Sequence, residues 1–287
     1  MVTHMNLRQV RKKTKSIKNV RKITKAMKMI SAIKMKKAQQ VEVEGRPYRE
    51  TLSSIIDKML PTVDTGFTKL FQSQDEKRKL NILISSNKGL CGGFHVNLYR
   101  LLLTKISDFS QNDFVILGNK ASQFVSKMGG IVLADYSNSR FINEVSAIFT
   151  FVLERFLSGQ NGSVSIFYNQ YTSAFNSQPV EISLLPFEWK QEETDKKALN
   201  LEYKIEPSAG EIIEPLLKSY LEEKIRGAII SSEAVEHASR MMAMKNATDN
   251  ASDIIENLTL VGNKLRQEKS TNELLDMMTA KESVESS

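Results

Sequence analysis

The chain has 287 residues, of which 41% are hydrophobic and 25% charged, a composition typical of a protein that folds around a substantial core. No apolar run approaches the roughly 20 residues needed to cross a bilayer. A single cysteine, Cys91, excludes an internal disulfide and any multi-cysteine metal site, and His4, His95 and His237 lack metal-ligand spacing. We therefore expect no metal and no cofactor.

The formal net charge of +7 is unevenly distributed. Residues 1–41 contain no Asp or Glu but thirteen Lys and Arg, so the remainder of the chain is acidic overall. The thirteen are Arg8, Arg11, Lys12, Lys13, Lys15, Lys18, Arg21, Lys22, Lys25, Lys28, Lys34, Lys36 and Lys37. Such a segment indicates an acidic partner, which could be nucleic acid, a membrane surface or acidic protein loops.

The N-terminal segment predicts a long helix, because residues 1–44 contain neither Gly nor Pro. Its apolar residues recur at the three-and-four spacing of one helix face. They are Leu7, Val10, Ile17, Val20, Ile23, Met27 and Ile30. Gly45 and Pro47 predict a kink before a second helical stretch from Tyr48 to Leu60.

The middle of the chain alternates short apolar runs with helical patterns, which favours an α/β layer with a largely parallel sheet. The predicted strands are Leu80–Ser85, Phe114–Leu117, Ile131–Ala134, Val164–Tyr168 and Val180–Leu185. The predicted helices between them are Val96–Phe109, Ala121–Met128 and Phe141–Leu157.

From Ser208 onward the pattern is helical again. A seven-residue repeat predicts a coiled-coil seam. Its members are Ala238, Met241, Thr248, Ile255, Leu258, Gly262 and Leu265. Because the middle segment returns the chain, we expect the two terminal helices to bury their apolar stripes against each other as an antiparallel coiled coil.

The stretch "NKGLCGGFHV" at 87–96 lies between a predicted strand and a predicted helix, where many proteins bind phosphate. Here Lys88 precedes the glycines, no Gly-Lys-Ser/Thr follows, and the glycine spacing is not that of dinucleotide-binding loops. These features favour a tight packing turn at Gly92 and Gly93. We interpret Cys91 as a buried filler rather than a nucleophile.

Three segments together resemble one family. "ITKAMKMISAIKMKKAQ" (23–39), "GLCGGF" (89–94) and "SRMMAMKNATDNASDIIENLTLVGNKLRQ" (239–267) are similar, in order and separation, to the gamma subunit of F-type ATP synthase. The resemblance implies a shaft of two antiparallel helices and a Rossmann-like α/β foot. The predicted domains are an N-terminal shaft helix at 1–60, the foot at 75–190 and a C-terminal shaft helix at 208–280.

The same resemblance implies a non-catalytic subunit that couples proton flow to ATP synthesis as a rotor. Its partners would be the alpha and beta subunits, the epsilon subunit and the c ring, with no nucleic acid and no small-molecule substrate. It would lie peripherally on the cytoplasmic face of a bacterial inner membrane, since the cysteine pair of redox-regulated chloroplast forms is absent.

The family's partner contacts carry over to eight residues. Those implied to meet beta subunits are Met27, Lys28, Arg240, Arg266, Gln267 and Thr271. The segment "YKIEP" at 203–207 resembles the one that meets the c ring, which places Tyr203 and Glu206 there.

This sequence departs from the family pattern at the C-terminal end of the shaft. Gly262 stands where the family usually has tyrosine, and Glu268–Ser270 is more polar than expected. Two other functions remain open on the residues alone. One is a coiled-coil protein that binds nucleic acid through its basic arm, and the other is a nucleotide-dependent enzyme built on the α/β segment.

Overall fold

The structure, a computed structural model, describes residues 6–63, 68–72, 78–173, 176–188, 206 and 208–285. The chain divides into two compact units. We call Ala32–Arg240 the α/β unit, and Met1–Ser31 with Met241–Ser287 the helical unit. Within the described ranges, no helix combines the length and apolar character that a membrane crossing requires.

The described residues form five α-helices and five β-strands. The helices are α1 (Leu7–Met59), α2 (Phe94–Lys105), α3 (Asn119–Lys127), α4 (Val145–Leu157) and α5 (Ala209–Glu285). The strands are β1 (Lys79–Ile84), β2 (Asn112–Leu117), β3 (Ile131–Asp135), β4 (Ser163–Tyr171) and β5 (Ser177–Leu185). Every strand and helix predicted between residues 80 and 190 is present, with ends shifted by a few residues.

The sheet of the α/β unit has the strand order β3-β2-β1-β4-β5. Strands β1 to β4 pair in parallel, and β5 pairs antiparallel with β4. The predicted α/β fold with a largely parallel sheet is confirmed. All residues of β1 after Lys79 are buried, as expected for a central strand covered on both faces.

The two faces of the sheet have separate cores, because successive strand side chains point to opposite sides. Leu83 and Phe114 belong to the core that packs beneath α2 and α3. Ile82 and Val115 belong to the other core, which includes α4 and the parts of α1 and α5 that lie in the α/β unit. From α1 and α5 this second core buries Leu52, Ile56, Met59, Ile213, Leu217, Leu221 and Ile225.

Helix α1 runs without interruption through Gly45 and Pro47, so the stretch predicted from Tyr48 onward is continuous with the first helix and not a second one, while the kink itself stays a prediction. Beyond the proline, Leu52 is buried in the core of the α/β unit, and this burial outweighs the local cost of Pro47. Arg49 also bridges about two turns of the helix, since its guanidinium donates to the carboxylate and to the carbonyl oxygen of Glu42.

In the helical unit, α1 and α5 pack antiparallel. The hydroxyls of Thr24 and Thr248 lie 2.8 Å apart, and a Cβ at Gly262 would lie 3.5 Å from Val10 Cγ1. One row of buried or half-buried positions on α5 follows steps of three and four along this contact, with other half-buried residues beside it. The row is Met241, Met244, Thr248, Ala251, Ile255, Leu258, Gly262 and Leu265. The predicted seam is therefore confirmed within this unit, and Met244 and Ala251 complete it.

The predicted apolar face of α1 is partly wrong. Val20, Ile23 and Ile30 are 48%, 59% and 56% exposed, whereas Thr24 and Ser31 are buried. In a coiled coil with a repeat of 3.5 residues, the position of a residue along the helix decides whether it faces the partner helix, whatever its polarity. Small polar side chains therefore occupy the contact, and large apolar ones remain on the outside.

Candidate functional site

The glycine-rich segment connects β1 to α2 in the α/β unit and is held by hydrogen bonds on both sides. Ser85 N donates to Leu117 O at 2.8 Å, which continues the pairing of β1 with β2. The Asn87 side chain donates to Ser137 O at 2.7 Å and accepts from Asn119 N at 2.9 Å. The segment is thus tied to the ends of β2 and β3.

Glycine is required where this segment meets the end of β2. Gly118 has φ +109°, and a Cβ there would lie 2.7 Å from Ser86 N, a distance that backbone atoms cannot accommodate. Gly92 has φ +58°, in the left-handed region. Gly118 therefore serves close backbone packing, whereas Gly92 serves a left-handed turn, since the atom nearest to a Cβ there would be Ser239 O at 3.9 Å.

Arg240 anchors the loop from α5. Its side chain is buried, and its guanidinium donates to Lys88 O at 3.1 Å and to Gly89 O at 3.3 Å. The same group forms an ion pair with Glu236 at 2.7 Å. The loop therefore directs carbonyl oxygens at a cation, whereas a phosphate cradle directs N–H groups at an anion.

Cys91 and His95 form a contact that sequence reasoning missed. Cys91 Sγ lies 3.5 Å from His95 Nδ1, and His95 Nε2 lies 2.8 Å from Ser86 Oγ. Ser86 Oγ in turn donates to Lys88 O. The arrangement fits a thiol that donates to Nδ1 and a neutral imidazole that donates from Nε2. The four-residue spacing at the start of a helix was the signal that could have revealed this contact.

The pKa shifts of this pair favour its neutral forms. Burial raises the pKa of the Cys91 thiol, and burial, with the charges of Lys120 and Arg240, lowers the pKa of His95. A reactive cysteine requires the opposite shifts, which stabilise a thiolate beside an imidazolium. The geometry thus agrees with the interpretation of Cys91 as a buried filler.

The cations in the first part of α1 are mostly exposed. In the described part of the chain, none of the thirteen Lys and Arg between residues 8 and 37 forms an ion pair, and eleven are exposed. Clustered charges of one sign repel each other unless a partner neutralises them. The surface of α1 therefore still calls for an acidic partner.

Apolar side chains lie among these cations on the helical unit. Val20, Ile23, Met27 and Ile30 follow one another in steps of three and four, and we call them the outer stripe. Met27 is half-buried and the other three are exposed. Near the end of α5, Leu274, Leu275, Met277 and Met278 are also exposed. A surface that is both cationic and apolar is typical of a protein–protein interface.

The structure places the predicted contact residues in different surroundings. Met27 and Lys28 are half-buried on α1 in the helical unit, and Arg266, Gln267 and Thr271 are exposed on α5. The two groups lie about 33 Å apart along the helix pair, at about 1.5 Å per residue. These two groups are therefore not brought together in one site.

The other three predicted contact residues lie elsewhere. Arg240 belongs to the α/β unit, where it is 7% exposed and bonded to the loop. Glu206 is exposed, and Tyr203 lies outside the described residues. The partner contacts of all eight residues remain predictions.

Known proteins resemble this chain along nearly its whole length. A family model described as ATP synthase matches residues 6–284. The ATP synthase gamma chain of Pelotomaculum thermopropionicum is 34% identical over 277 residues, which is 95% of this chain and 97% of the relative. This chain belongs to the ATP synthase gamma-chain family. Gamma chains are non-catalytic subunits of the ATPase complex, and the assignment from the three sequence segments is confirmed.

Solved structures agree on the fold. A chain of the Euglena gracilis mitochondrial ATP synthase matches with a TM-score of 0.65 at 19% identity, covering 97% of this chain and 94% of that one. A chain of the central stalk and c-ring structure of the Tetrahymena thermophila mitochondrial ATP synthase matches with a TM-score of 0.56 at 24% identity, covering 78% and 99%. At these identities the likeness establishes the shared architecture of long terminal helices and an α/β unit.

Proposed function

We propose that this chain is the central rotor of an F-type ATP synthase, which transmits proton flow through the membrane c ring to the catalytic beta subunits. The observation that carries the proposal lies on the helical unit of this gamma-chain family member. In the described part of the chain, none of the α1 cations between residues 8 and 28 forms an ion pair, and three of the four residues of the outer stripe are exposed. Its occupant would be a ring of alpha and beta subunits with acidic loops.

The mechanism follows from unequal contacts around the helix pair. The surface bearing the outer stripe is apolar and cationic, whereas the exposed side of α5 carries Asp249, Asp253 and Glu256. As the rotor turns, each beta subunit would face these surfaces in sequence. A rotor can shift a conformational equilibrium only through such differences in contact free energy.

The remaining partners complete the proposal. The shaft would comprise residues 1–60 and 208–280, and the foot residues 75–190 would bind the epsilon subunit. Tyr203 and Glu206 would meet the c ring. Beta subunits would contact Met27, Lys28, Arg240, Arg266, Gln267 and Thr271. The assembly would place the chain peripherally on the cytoplasmic face of a bacterial inner membrane.

The test is co-expression with the alpha and beta subunits of the same organism, followed by purification and measurement of ATP hydrolysis and of proton-driven ATP synthesis in vesicles. We expect a complex in which Ile23→Asp, on the outer stripe, lowers ATP synthesis. Ile131→Asp, an exposed apolar residue of β3, serves as the matched control.

Two results would contradict the proposal. One is failure of the folded chain to assemble with alpha and beta subunits. The other is binding of nucleic acid alone, with an affinity that falls steeply as salt is raised, which is the behaviour of a basic arm on a phosphate backbone.

A further inference from the structure

A cleft of about 220 Å³ lies within the α/β unit, at the carboxyl end of β1. Its wall includes Ser85 after β1, residues 139–142 ahead of α4, Lys34 of α1 and one face of α5 between Ile229 and Arg240. In sheets with parallel strands, ligands bind preferentially beyond the carboxyl ends of the strands. The position of this cleft is therefore that of a ligand site.

The lining of the cleft has an excess of positive charge. Lys34, Lys88 and Arg140 line it, and none of them forms an ion pair with another described residue. Of the two carboxylates present, Glu236 is paired with Arg240 at 2.7 Å. The remaining one, Glu233, cannot neutralise three cations.

The pKa of Glu233 indicates which cations lie near its carboxylate. His237, whose Nε2 lies 3.7 Å from Glu233 Oε1, is the main cause of the lowered pKa of Glu233, and the charges of Arg140 and Lys34 lower that pKa further. Lys34 of α1 and Arg140 of the segment ahead of α4 therefore act on the same small volume from two separate parts of the unit. A single carboxylate neutralises only one of these two positive charges, so the cleft retains a positive charge that favours a second anion.

A buried hydroxyl without a partner lies in the same wall. Ser232 is 2% exposed, and its Oγ has no hydrogen-bond partner in the described part of the chain. Its neighbour Ser231 faces another direction and accepts a bond from Tyr171 N at 2.7 Å. Buried hydroxyls are nearly always satisfied, so Ser232 indicates a missing acceptor in the cleft.

The segment ahead of α4 supplies the wall that carries Arg140. Residues 139–142 lead through a 3₁₀ turn at Phe141–Glu144 into α4, and this part of the cleft lining ends at Ile142, before that helix begins. The surplus of positive charge and the unpartnered hydroxyl together indicate an anion as the ligand.

We propose that this cleft binds a phosphate group, with Lys34 and Arg140 contacting its oxygens and Ser232 donating a hydrogen bond. The site belongs to the α/β unit and stands independently of the rotor role. It also differs from the glycine-rich loop, whose carbonyl oxygens are directed at Arg240. The ligand is either free phosphate or the phosphoryl group of a small organic molecule.

The test is calorimetric titration of the purified full-length chain with inorganic phosphate, at an ionic strength held constant with sodium chloride. We expect saturable binding at one site. Lys34→Gln and Arg140→Gln should each weaken it by about tenfold, because each removes a charge-assisted hydrogen bond. Both side chains are exposed, so neither change should unfold the chain.

Matched controls separate the site from general charge. Lys37→Gln on α1 and Arg100→Gln on α2 remove exposed cations that do not line the cleft, and phosphate binding should be unchanged. Ser232→Ala should weaken binding and raise the melting temperature of the phosphate-free chain. Ser231→Ala should lower that melting temperature with phosphate affinity unchanged.

A second titration with glycerol 2-phosphate distinguishes the two sources of the phosphate group. Tighter binding than inorganic phosphate indicates an organic ligand, and weaker binding indicates the free ion. The proposal is wrong if phosphate binds no better than chloride, or if Lys37→Gln weakens binding as much as Lys34→Gln. A crystal structure grown in phosphate that shows only water beside Ser232 would overturn it as well.

Discussion

Thr24 and Thr248 face each other across the helix pair, with their hydroxyl oxygens 2.8 Å apart and 224 residues between them in the chain. Each hydroxyl also lies near a carbonyl oxygen of its own helix, with Thr24 Oγ1 3.1 Å from Arg21 O and Thr248 Oγ1 2.7 Å from Met244 O. The contact sets the register of α1 against α5 in the helical unit.

The register can be tested by a disulfide. In a chain with Cys91→Ala, the pair Thr24→Cys and Thr248→Cys should form a disulfide under mild oxidation, because the two side chains already touch. The control pair Thr24→Cys and Asp249→Cys should not, since Asp249 is exposed and points away. Non-reducing gel mobility measures the outcome, and equal crosslinking of both pairs would refute the register.

The seam of the helical unit should dominate its stability. Ile255→Ala removes a buried side chain and should lower the free energy of unfolding by about 2–5 kcal/mol. Ile254, its neighbour, is 44% exposed, and Ile254→Ala should change stability by less than about 0.5 kcal/mol. Urea unfolding followed by helical circular dichroism gives both values. Similar losses for the two variants would place the seam elsewhere.

Gly118 should not tolerate a side chain. Gly118→Ala combines a positive φ with a Cβ 2.7 Å from Ser86 N, and should cost about 2–4 kcal/mol of unfolding free energy. Gly129 also has a positive φ, of +77°, but nothing lies within 4 Å of a Cβ there. Gly129→Ala should therefore cost only about 1 kcal/mol. Thermal unfolding of the two variants separates the two effects, since Gly118→Ala combines steric overlap with backbone strain and Gly129→Ala has backbone strain alone.

Arg240→Ala should loosen the glycine-rich loop. It removes the donors to Lys88 O and Gly89 O and leaves Glu236 unpaired, so a loss of about 2–4 kcal/mol is expected. The reaction of Cys91 with a thiol reagent should become faster, because the loop covers that thiol. Arg266→Ala, at an exposed arginine, is the control and should leave both readouts unchanged.

Cys91 also predicts a pH dependence. Burial raises its pKa above the ordinary value of 9.0, so the folded chain prefers the protonated thiol. The resulting stabilisation is fully present below pH 9.0 and is lost as the pH rises through the raised value. The free energy of unfolding should fall above pH 9.0, and it should fall less in Cys91→Ala. A steeper fall in that variant would contradict the assignment.

The sequence was most informative where the local pattern and the fold agree. The strands could be predicted because each is a short, largely apolar run bounded by polar residues. A strand that is buried on both faces, such as β1, requires that pattern in the sequence. The packing role of the loop could be inferred because phosphate-binding spacing was missing around Gly92.

The failures have physical causes. Pro47 does not break α1, since burial of Leu52 in the core outweighs the local preference. Thr24 and Ser31 were not predicted in the seam because polar residues are expected on the outside of a helix. Their small size nevertheless suits a position between two closely packed helices. The contact of Arg240 with Gly89 joins residues 151 apart, and nothing local to either residue signals it.

The distribution of large and small side chains on α1 has a consequence for how the cell handles this chain. Thr24 and Ser31 lie inside the helix pair, while Ile23 and Ile30 lie outside. The two isoleucine side chains would therefore be buried, with a gain in hydrophobic free energy, only when another protein covers them. A copy synthesised in excess would expose that stripe, and quality-control proteases act on such surfaces. We expect surplus chains to be degraded, which would hold their number to that of the complexes able to receive them.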